Sequence, residues 1–335
     1  MLAGSSSPKT RTRPRTIARN VRVFAMRQRE ELVAHTLELL EREGSAAKVG
    51  ANWPKLVKFV ERCSGLYHQN PYHNWHHAVD VTHTMAWMLT RPVLREHIPP
   101  VDAFWLLVAS IAHDLDHPGH NNQWEINIHS PRASKYNNVA VLEHHSLDLA
   151  AEMMSQPEFS FIETMSTADV QRGRDLMREL ILATDFAIHK DFLTAFSAAV
   201  HEYPAKRNFS DPAFTLMVLK ALIKAADIAN TTKPFAQAKM WGLRVMEEFW
   251  AQGRLEKAQS FPVGPLNDEE RVDLNQAQAG FIRFAAMDLF DLLARVEPSL
   301  KALVKSLNEN VSLYQSMPSK AVGGEPSSAP RVAKS

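Results

Sequence analysis

The chain has 335 residues, 45% of them apolar, and its 38 Lys+Arg nearly balance 37 Asp+Glu. Such a length suits one large domain or two small ones, and the charge balance excludes a global basic field that would hold nucleic acid. Cys63 is the only cysteine, which excludes an intramolecular disulfide and favours a reducing, cytoplasmic location. The N-terminus lacks the apolar centre of a signal peptide. The longest apolar run, Ala103 to Ala112, is interrupted by Ser110 and falls well short of the roughly 20 residues of a membrane span.

Residues 1–18 are rich in Ser, Pro and Arg, carry no acid, and read as a disordered basic arm. Helical spacing of apolar residues then recurs over about Arg29 to Glu43, His77 to Thr90, Val101 to Leu115, Val139 to Ser155, Val170 to Phe186, Pro212 to Ala229 and Phe235 to Gln252. Ile282, Ala285, Ala286, Leu289, Leu292, Leu293 and Val296 mark one more apolar helix face. Asp268, Glu269 and Glu270 fall where its first turn favours acids, and Pro298 stops the pattern. Residues 316–335 are rich in Ser, Pro, Gly and Ala and read as a disordered tail. No stretch alternates with a period of two, and no linker or repeat interrupts residues 19–315. The expectation is an all-α fold, a compact multi-helix single domain.

Most of the 15 histidines lie between His68 and His145, and two short clusters of them stand beside acids. The first is Tyr72-His73-Asn74-Trp75-His76-His77, and the second is His113-Asp114-Leu115-Asp116-His117-Pro118-Gly119. Neutral ring nitrogens suit Zn²⁺, and carboxylate oxygens suit Mg²⁺ or Mn²⁺. A mixture suggests two metals of different hardness, able to activate a water and neutralise a phosphate. Hydrolysis of a phosphate ester is therefore the leading idea. His73 and His77, four residues apart, would share a helix face, and alone such a pair is more often two surface histidines. His113-Asp114 changes that reading. It follows an apolar helix, where a charge must be paired, exposed in a cleft or bound to metal. Asp227, in Leu222-Ile223-Lys224-Ala225-Ala226-Asp227, sits in another apolar run and alone reads equally well as a hydrogen-bonding helix-end Asp. With His77, His113 and Asp114 it completes a set of two nitrogens and two carboxylates. Asp114, with two oxygens, can bridge to a second, mostly water-coordinated ion.

These residues resemble the class I 3′,5′-cyclic nucleotide phosphodiesterases. Tyr72-His73-Asn74-x-x-His77-Ala78-x-Asp80-Val81 resembles their opening motif, and His113-Asp114-x-x-His117-x-x-x-x-Asn122 their central signature. Ala226-Asp227-Ile228-Ala229-Asn230 is similar to their third acidic motif and Gln278-Ala279-Gly280-Phe281-Ile282 to their base-binding motif. The similarity runs from about Leu66 to Phe290, and the run Thr232 to Phe235 resembles protozoan (kinetoplastid) members. The resemblance implies an HD-type phosphohydrolase architecture. It also implies hydrolysis of the 3′ ester of cAMP, and of cGMP, to the 5′-monophosphate by a metal-bridged hydroxide, which ends a cyclic nucleotide signal. His77, His113, Asp114 and Asp227 would ligate Zn²⁺, with Asp114 also reaching Mg²⁺ or Mn²⁺. His73 would be the general acid. His117, Glu143, Thr184 and Asp185 would hold waters around the second ion. Gln278 would bind the purine edge, and Phe281 and Val245 would sandwich the ring. Asn230, Trp241, Met246 and Phe249 would line the base pocket, and Tyr72 would flank the metals. The partner implied is a cyclic nucleotide, with no nucleic acid and no membrane span. Regulatory domains, and any membrane association of a full-length protein, would lie outside this chain.

The chain departs from the family pattern twice. After Glu143 the family has Asn-His-His, where this chain has His144-His145-Ser146. In the cAMP-selective members a tyrosine locks the glutamine amide, and the aligned residue here is Ala238. That absence argues for a freer Gln278 and weaker discrimination between cAMP and cGMP. The runner-up function is another HD-type metal-dependent nucleotide phosphohydrolase, which would need no Gln278–Phe281 slot. A non-catalytic cyclic-nucleotide or scaffold domain is the third reading, and the intact His73 and ligand set argue against it.

Overall fold

The computed structural model describes residues 17–42, 46–206 and 209–318. Among them every regular element is helical, as expected from the sequence. In chain order the α-helices are α1 (Arg29–Arg42), α2 (Trp53–Leu66), α3 (Trp75–Leu89), α4 (Pro92–His97), α5 (Pro100–Ala112), α6 (Asn122–Asn127), α7 (Pro131–Lys135) and α8 (Val141–Ser155). They continue as α9 (Thr167–Ala183), α10 (His189–Lys206), α11 (Pro212–Asp227), α12 (Phe235–Ala258), α13 (Leu274–Phe281), α14 (Met287–Val296) and α15 (Lys301–Ser316). No helix among the described residues is long and apolar enough to cross a membrane.

Helices α3 and α5 form the centre. Residues Asp102 to Ala112 of α5 are all buried, and so is nearly all of α3. A helix apolar on every face has to lie inside, and α5 packs against α3, α9 and α11. Two devices set that packing. Asp102, in the first turn of α5, takes both Arg172 hydrogen bonds of a bidentate pair, at 2.9 and 2.8 Å. Gly173, one residue on in α9, lies where any Cβ would come within 1.9 Å of Trp105. A glycine inside a helix costs about 1 kcal/mol against alanine, and here it lets α9 approach α5.

Helix α11 ends at Asp227, and a short 3₁₀ turn, Ala229–Thr232, leads to Lys233. The Lys233 ammonium is buried 2.8 Å from Asp80 Oδ1 of α3. That oxygen makes no hydrogen bond, so the pair is an ion contact off the hydrogen-bond direction.

Two expectations need correction. The helix foreseen from Asp268 starts later, at Leu274, because the Asp273 side chain caps it by accepting the Gln276 N–H at 2.8 Å. Asp268 instead pairs with Lys257 and Arg271 in the preceding turn. The apolar face from Ile282 to Val296 does not belong to one regular helix, since residues Ile282–Ala286 form a π-helical turn between α13 and α14. The arm and tail expected to be disordered lie outside the described residues except at their inner ends. There Ile17 is buried, the Ala18 carbonyl accepts a hydrogen bond from His83 Nε2 at 2.8 Å, and α15 runs on through Ser316.

Removing one partner of a fully buried ion pair strands the other. Asp80→Ala should therefore destabilise the fold by about 3–5 kcal/mol, read by denaturant unfolding. A loss of about 1 kcal/mol or less, the scale of an exposed pair, would mean that Lys233 is not held by Asp80.

Candidate active site

Three helix ends meet at one point. The Asn74 side chain caps α3 by accepting the His77 N–H at 3.2 Å, which puts His77 in the first turn. His113 ends α5 with Asp114 directly after it, and Asp227 is the last residue of α11. His77 Nε2 lies 3.1 Å from Asp227 Oδ1 and 3.6 Å from Asp114 Oδ2. His113 Nε2 lies 3.1 Å from Asp114 Oδ2 and 3.5 Å from Asp227 Oδ1. The four residues singled out in the sequence from distant segments are thus brought together.

The donor set fits a divalent cation. His113 Nδ1 donates to the Ser110 carbonyl at 3.0 Å, which leaves Nε2 facing the carboxylates. That nitrogen is buried without a hydrogen-bond partner. A lone pair aimed at two carboxylates is repulsive unless a proton or a cation lies between. Burial pushes both carboxyls up, but with a proton on His113 the facing imidazolium outweighs it and holds Asp114 and Asp227 well below the usual carboxylate range. Two nitrogens and two ionised carboxylates make a mixed N/O site.

A second group of acids stands beside Asp114. Glu143 Oε2 accepts from Asn122 Nδ2 at 2.9 Å, and Asn122 Oδ1 accepts the Leu142 N–H at 2.9 Å. Burial, then the charges of Asp185 and Asp114, raises Glu143 to about 7. Crowded acids of this kind also suit a cation. Asp185 Oδ1 accepts the Ala187 N–H at 2.9 Å, and the Thr184 hydroxyl donates to Ile181 at 2.7 Å. Sequence reasoning passed over Lys224, whose ammonium donates to the Ala183 carbonyl at 2.5 Å. Burial lowers Lys224 to about 8, although Asp227, Asp185 and Glu143 pull it upward. The signal for it was a lysine inside an apolar run.

His73 is not on α3. It precedes the Asn74 cap, so the shared helix face expected for His73 and His77 does not exist, and their rings meet edge to face at 5.8 Å. Glu248 of α12, which sequence reasoning missed, holds His73 instead. Its Oε1 binds His73 Nδ1, while its Oε2 accepts the Tyr72 and His73 backbone N–H groups at 3.0 and 3.1 Å. Burial pushes the His73 imidazole down, but Glu248, with Asp114 and Asp227 behind it, reverses this and raises it to about 9. His117 stacks on His73 with ring centroids 3.9 Å apart, and its Nδ1 accepts the Gly119 N–H at 3.1 Å. Burial and the neighbouring His73 charge depress His117 to about 3, so it stays neutral. His73, His117 and Glu248 also place ligand atoms within 4.8 Å of one another. Both Nδ1 atoms are already engaged, which makes this a proton-holding set.

The expected base pocket continues from the metal-competent cluster. The Tyr72 hydroxyl accepts from Asn230 Nδ2 at 2.7 Å, and the Tyr72 ring lies 4.6 Å from His77 and 5.5 Å from Trp241. Trp241, Met246 and Gln278 are buried, while Val245, Phe249 and Phe281 are half-buried. The aromatic neighbour of Phe281 is Phe186, at 5.7 Å, which the sequence did not indicate. Ala238 is buried and brings no polar atom to Gln278. The departure after Glu143 resolves locally. His145 Nε2 donates to Asp116 at 2.7 Å, beside Arg132 and His68, His144 stacks on Tyr136, and the Ser146 hydroxyl donates to Leu115 at 3.0 Å.

A family model described as 3′5′-cyclic nucleotide phosphodiesterase matches residues 72–307. Among curated proteins, the probable 3′,5′-cyclic-AMP phosphodiesterase pde-4 of Caenorhabditis elegans is 29% identical over 88% of this chain and 44% of its own length. The high affinity cGMP-specific 3′,5′-cyclic phosphodiesterase 9A of Mus musculus is 31% identical over 75% of this chain and 46% of its own length. The chain therefore spans under half the length of these two relatives. Among solved structures, LmjPDEB1 in complex with IBMX aligns with a TM-score of 0.82 at 31% identity, covering 88% of this chain and 90% of that one. The phosphodiesterase domain of Salpingoeca rosetta rhodopsin phosphodiesterase aligns with a TM-score of 0.81 at 31% identity, covering 86% and 88%.

If Glu248 sets the protonation of His73, Glu248→Gln should move the His73 imidazole from about 9 toward its ordinary 6.5 or below, followed by NMR titration. A raised folded value stabilises the protein fully below 6.5 and loses that effect as pH climbs through about 9. The stability gap between wild type and variant should close over the same interval. An unmoved titration would remove Glu248 from this role.

Proposed function

This chain belongs to the 3′5′-cyclic nucleotide phosphodiesterase family, and on that premise we propose that residues 19–315 form a cytoplasmic catalytic domain. It hydrolyses the 3′ ester of cAMP and cGMP to the 5′-monophosphates. The observation that carries the reading is the convergence of His77, His113, Asp114 and Asp227 beside an imidazole whose proton Glu248 retains. His77, His113, Asp114 and Asp227 would hold Zn²⁺. Asp114 would also reach Mg²⁺ or Mn²⁺, whose waters His117, Glu143, Thr184 and Asp185 would hold. Bound there, the ions would neutralise the phosphodiester charge and make a water more acidic.

The chain's own groups do the rest. His73 Nδ1 is engaged by Glu248, so Nε2 is the atom that delivers a proton to the departing 3′ oxygen. A positioned general acid contributes about 10²- to 10⁴-fold. His117 takes its backbone hydrogen bond on Nδ1, which leaves Nε2–H for a water. Tyr72, Asn230 and Trp241 form the wall between the cations and the base. Gln278 reads the purine edge, Phe281 and Val245 flank the ring, and Met246 and Phe249 complete the pocket. Regulatory modules of a longer protein would act from outside this domain.

Turnover of cAMP, cGMP and nucleoside monophosphates, with and without EDTA, tests the proposal. Cyclic substrates should be cleaved and EDTA should stop it, whereas turnover confined to monophosphates would favour the general phosphohydrolase reading. Asp114→Ala should lose both activity and bound metal, and unchanged metal content by elemental analysis would remove Asp114 from the ligand set. With Ala238 unable to hold the amide, kcat/KM for cAMP and cGMP should differ modestly. A cAMP preference of about 10³-fold, about 4 kcal/mol, would show that the amide is locked.

A further inference from the structure

Resting on the reading that a second cation lies beside Asp114, we propose that Lys224 is the built-in counter-charge of the acids around that cation and keeps it exchangeable. Lys224 is on α11, 3% exposed, three residues before Asp227 and so on the same helix face. Its ammonium donates to the Ala183 carbonyl at 2.5 Å, at the C-terminus of α9, and forms no ion pair among the described residues. It also lies over the Phe192 ring of α10, 5.7 Å from the ring centre. A buried ammonium with a single hydrogen-bond acceptor is costly, so its position calls for an explanation.

The acids near it supply one. Asp227, Asp185 and Glu143 all act to keep the proton on Lys224, although burial outweighs them and pulls it down to about 8. The same acids crowd one another, since the charges of Asp185 and Asp114 help to raise Glu143. Asp185 and Glu143 form no ion pair among the described residues, and each accepts its hydrogen bond from an uncharged group, the Ala187 N–H or the Asn122 amide. The other basic groups near Lys224 do not serve in its place. Lys220, one turn earlier, is engaged by Glu179 at 2.7 Å, and burial and the Lys224 charge hold the His189 imidazole below its ordinary value.

An ammonium held by a backbone carbonyl acts on these carboxylates through space and leaves their oxygens to other partners. Without the second ion, Lys224 offsets part of the mutual repulsion of the acids. With the ion bound, ion and ammonium share the same acids and repel each other, so the ion binds less tightly than the acids alone would hold it. The linkage is reciprocal, and an ion weakened by Lys224 must weaken the Lys224 proton by the same factor. Mg²⁺ keeps most of its waters, and a loosely held ion of this kind can exchange while two imidazoles retain the first.

Lys224→Met removes the charge and keeps most of the volume. In zinc-loaded protein at pH 7, where Lys224 is protonated, the variant should bind Mn²⁺ at least about tenfold more tightly than wild type, read by electron paramagnetic resonance. A lysine with a merely structural role gives the reverse, because loosening the end of α9 would misplace Asp185 and weaken the ion. Unchanged or weaker Mn²⁺ binding by the folded variant therefore overturns the proposal. A second measurement needs no variant. In zinc-loaded wild type carrying ¹³C-lysine, saturating Mg²⁺ should move the Lys224 titration below its value of about 8, with about the same tenfold loss of proton affinity. A titration that Mg²⁺ leaves in place overturns the proposal even where Lys224→Met does not fold. If zinc-loaded wild type binds neither Mn²⁺ nor Mg²⁺, the reading of a second ion falls and takes this inference with it. If it binds them and Lys224 responds in neither experiment, this inference alone falls.

Discussion

The structure depends on bringing two carboxylates to the wrong ends of two helices. Asp114 follows the C-terminus of α5, and Asp227 closes the C-terminus of α11. A helix C-terminus carries partial negative charge, so anions there are disfavoured, and burial adds to the cost. Only positive charge at the meeting point balances the arrangement, and the two imidazoles of His77 and His113 make a cation the fitting form of it. Much of the fold serves that junction. An all-apolar α5 is driven to the centre, Asp102 and Arg172 fix it to α9, and Asp80 and Lys233 tie the loop after Asp227 back to α3.

Helix α12 connects this junction with the residues proposed to bind the base. Trp241, Gly242, Val245, Met246, Glu248 and Phe249 lie on two successive turns of it. Glu248 binds the imidazole of His73 and two backbone N–H groups of the Tyr72–His73 segment. Burial pushes the Glu248 carboxyl up, but His73 outweighs it and holds it down at about 2. The acid therefore stays ionised as the counter-charge of His73. A displacement of α12 would move His73 and the residues proposed to line the base pocket together.

The fold class and the residues His77, His113, Asp114 and Asp227 that meet at the junction were legible in the sequence because both rest on short-range pattern. Apolar spacing marked α1, α3, α5, α8, α9, α11 and α12 to within a few residues at most of their ends. His113-Asp114 and Asp227 stood out as charges in apolar runs. The misses have physical causes. Glu248 looks like a surface acid beside Glu247, and only the docking of the 70–74 loop buries it. His73 was placed on a helix because spacing cannot show that the Asn74 side chain starts α3 one residue later. Three acids at 268–270 imitate a helix start, while the single Asp273 performs the capping.

The pocket is unevenly constrained. Its wall on the side of His77 is braced from behind by the segment before α1. Phe24 stacks on His76 and meets Trp241 at a tilt, Arg244 lies over the Phe24 ring at 4.2 Å, and Arg19 donates to the Thr232 carbonyl and the Ser306 hydroxyl. Those contacts fix Trp241, and with it the Tyr72–His77 side, in a close-packed environment that tolerates little movement. On the opposite side Gly242 faces Gln278 and brings no side chain to it. Rigidity is concentrated around His73 and the four metal-competent residues, where the proposed chemistry would need set distances. Room is left beside the Gln278 amide, the group proposed to read the purine edge. Both regions share α12, which carries Ala238 and Gly242 as well as Glu248, so the contacts that seat this helix hold the two in register.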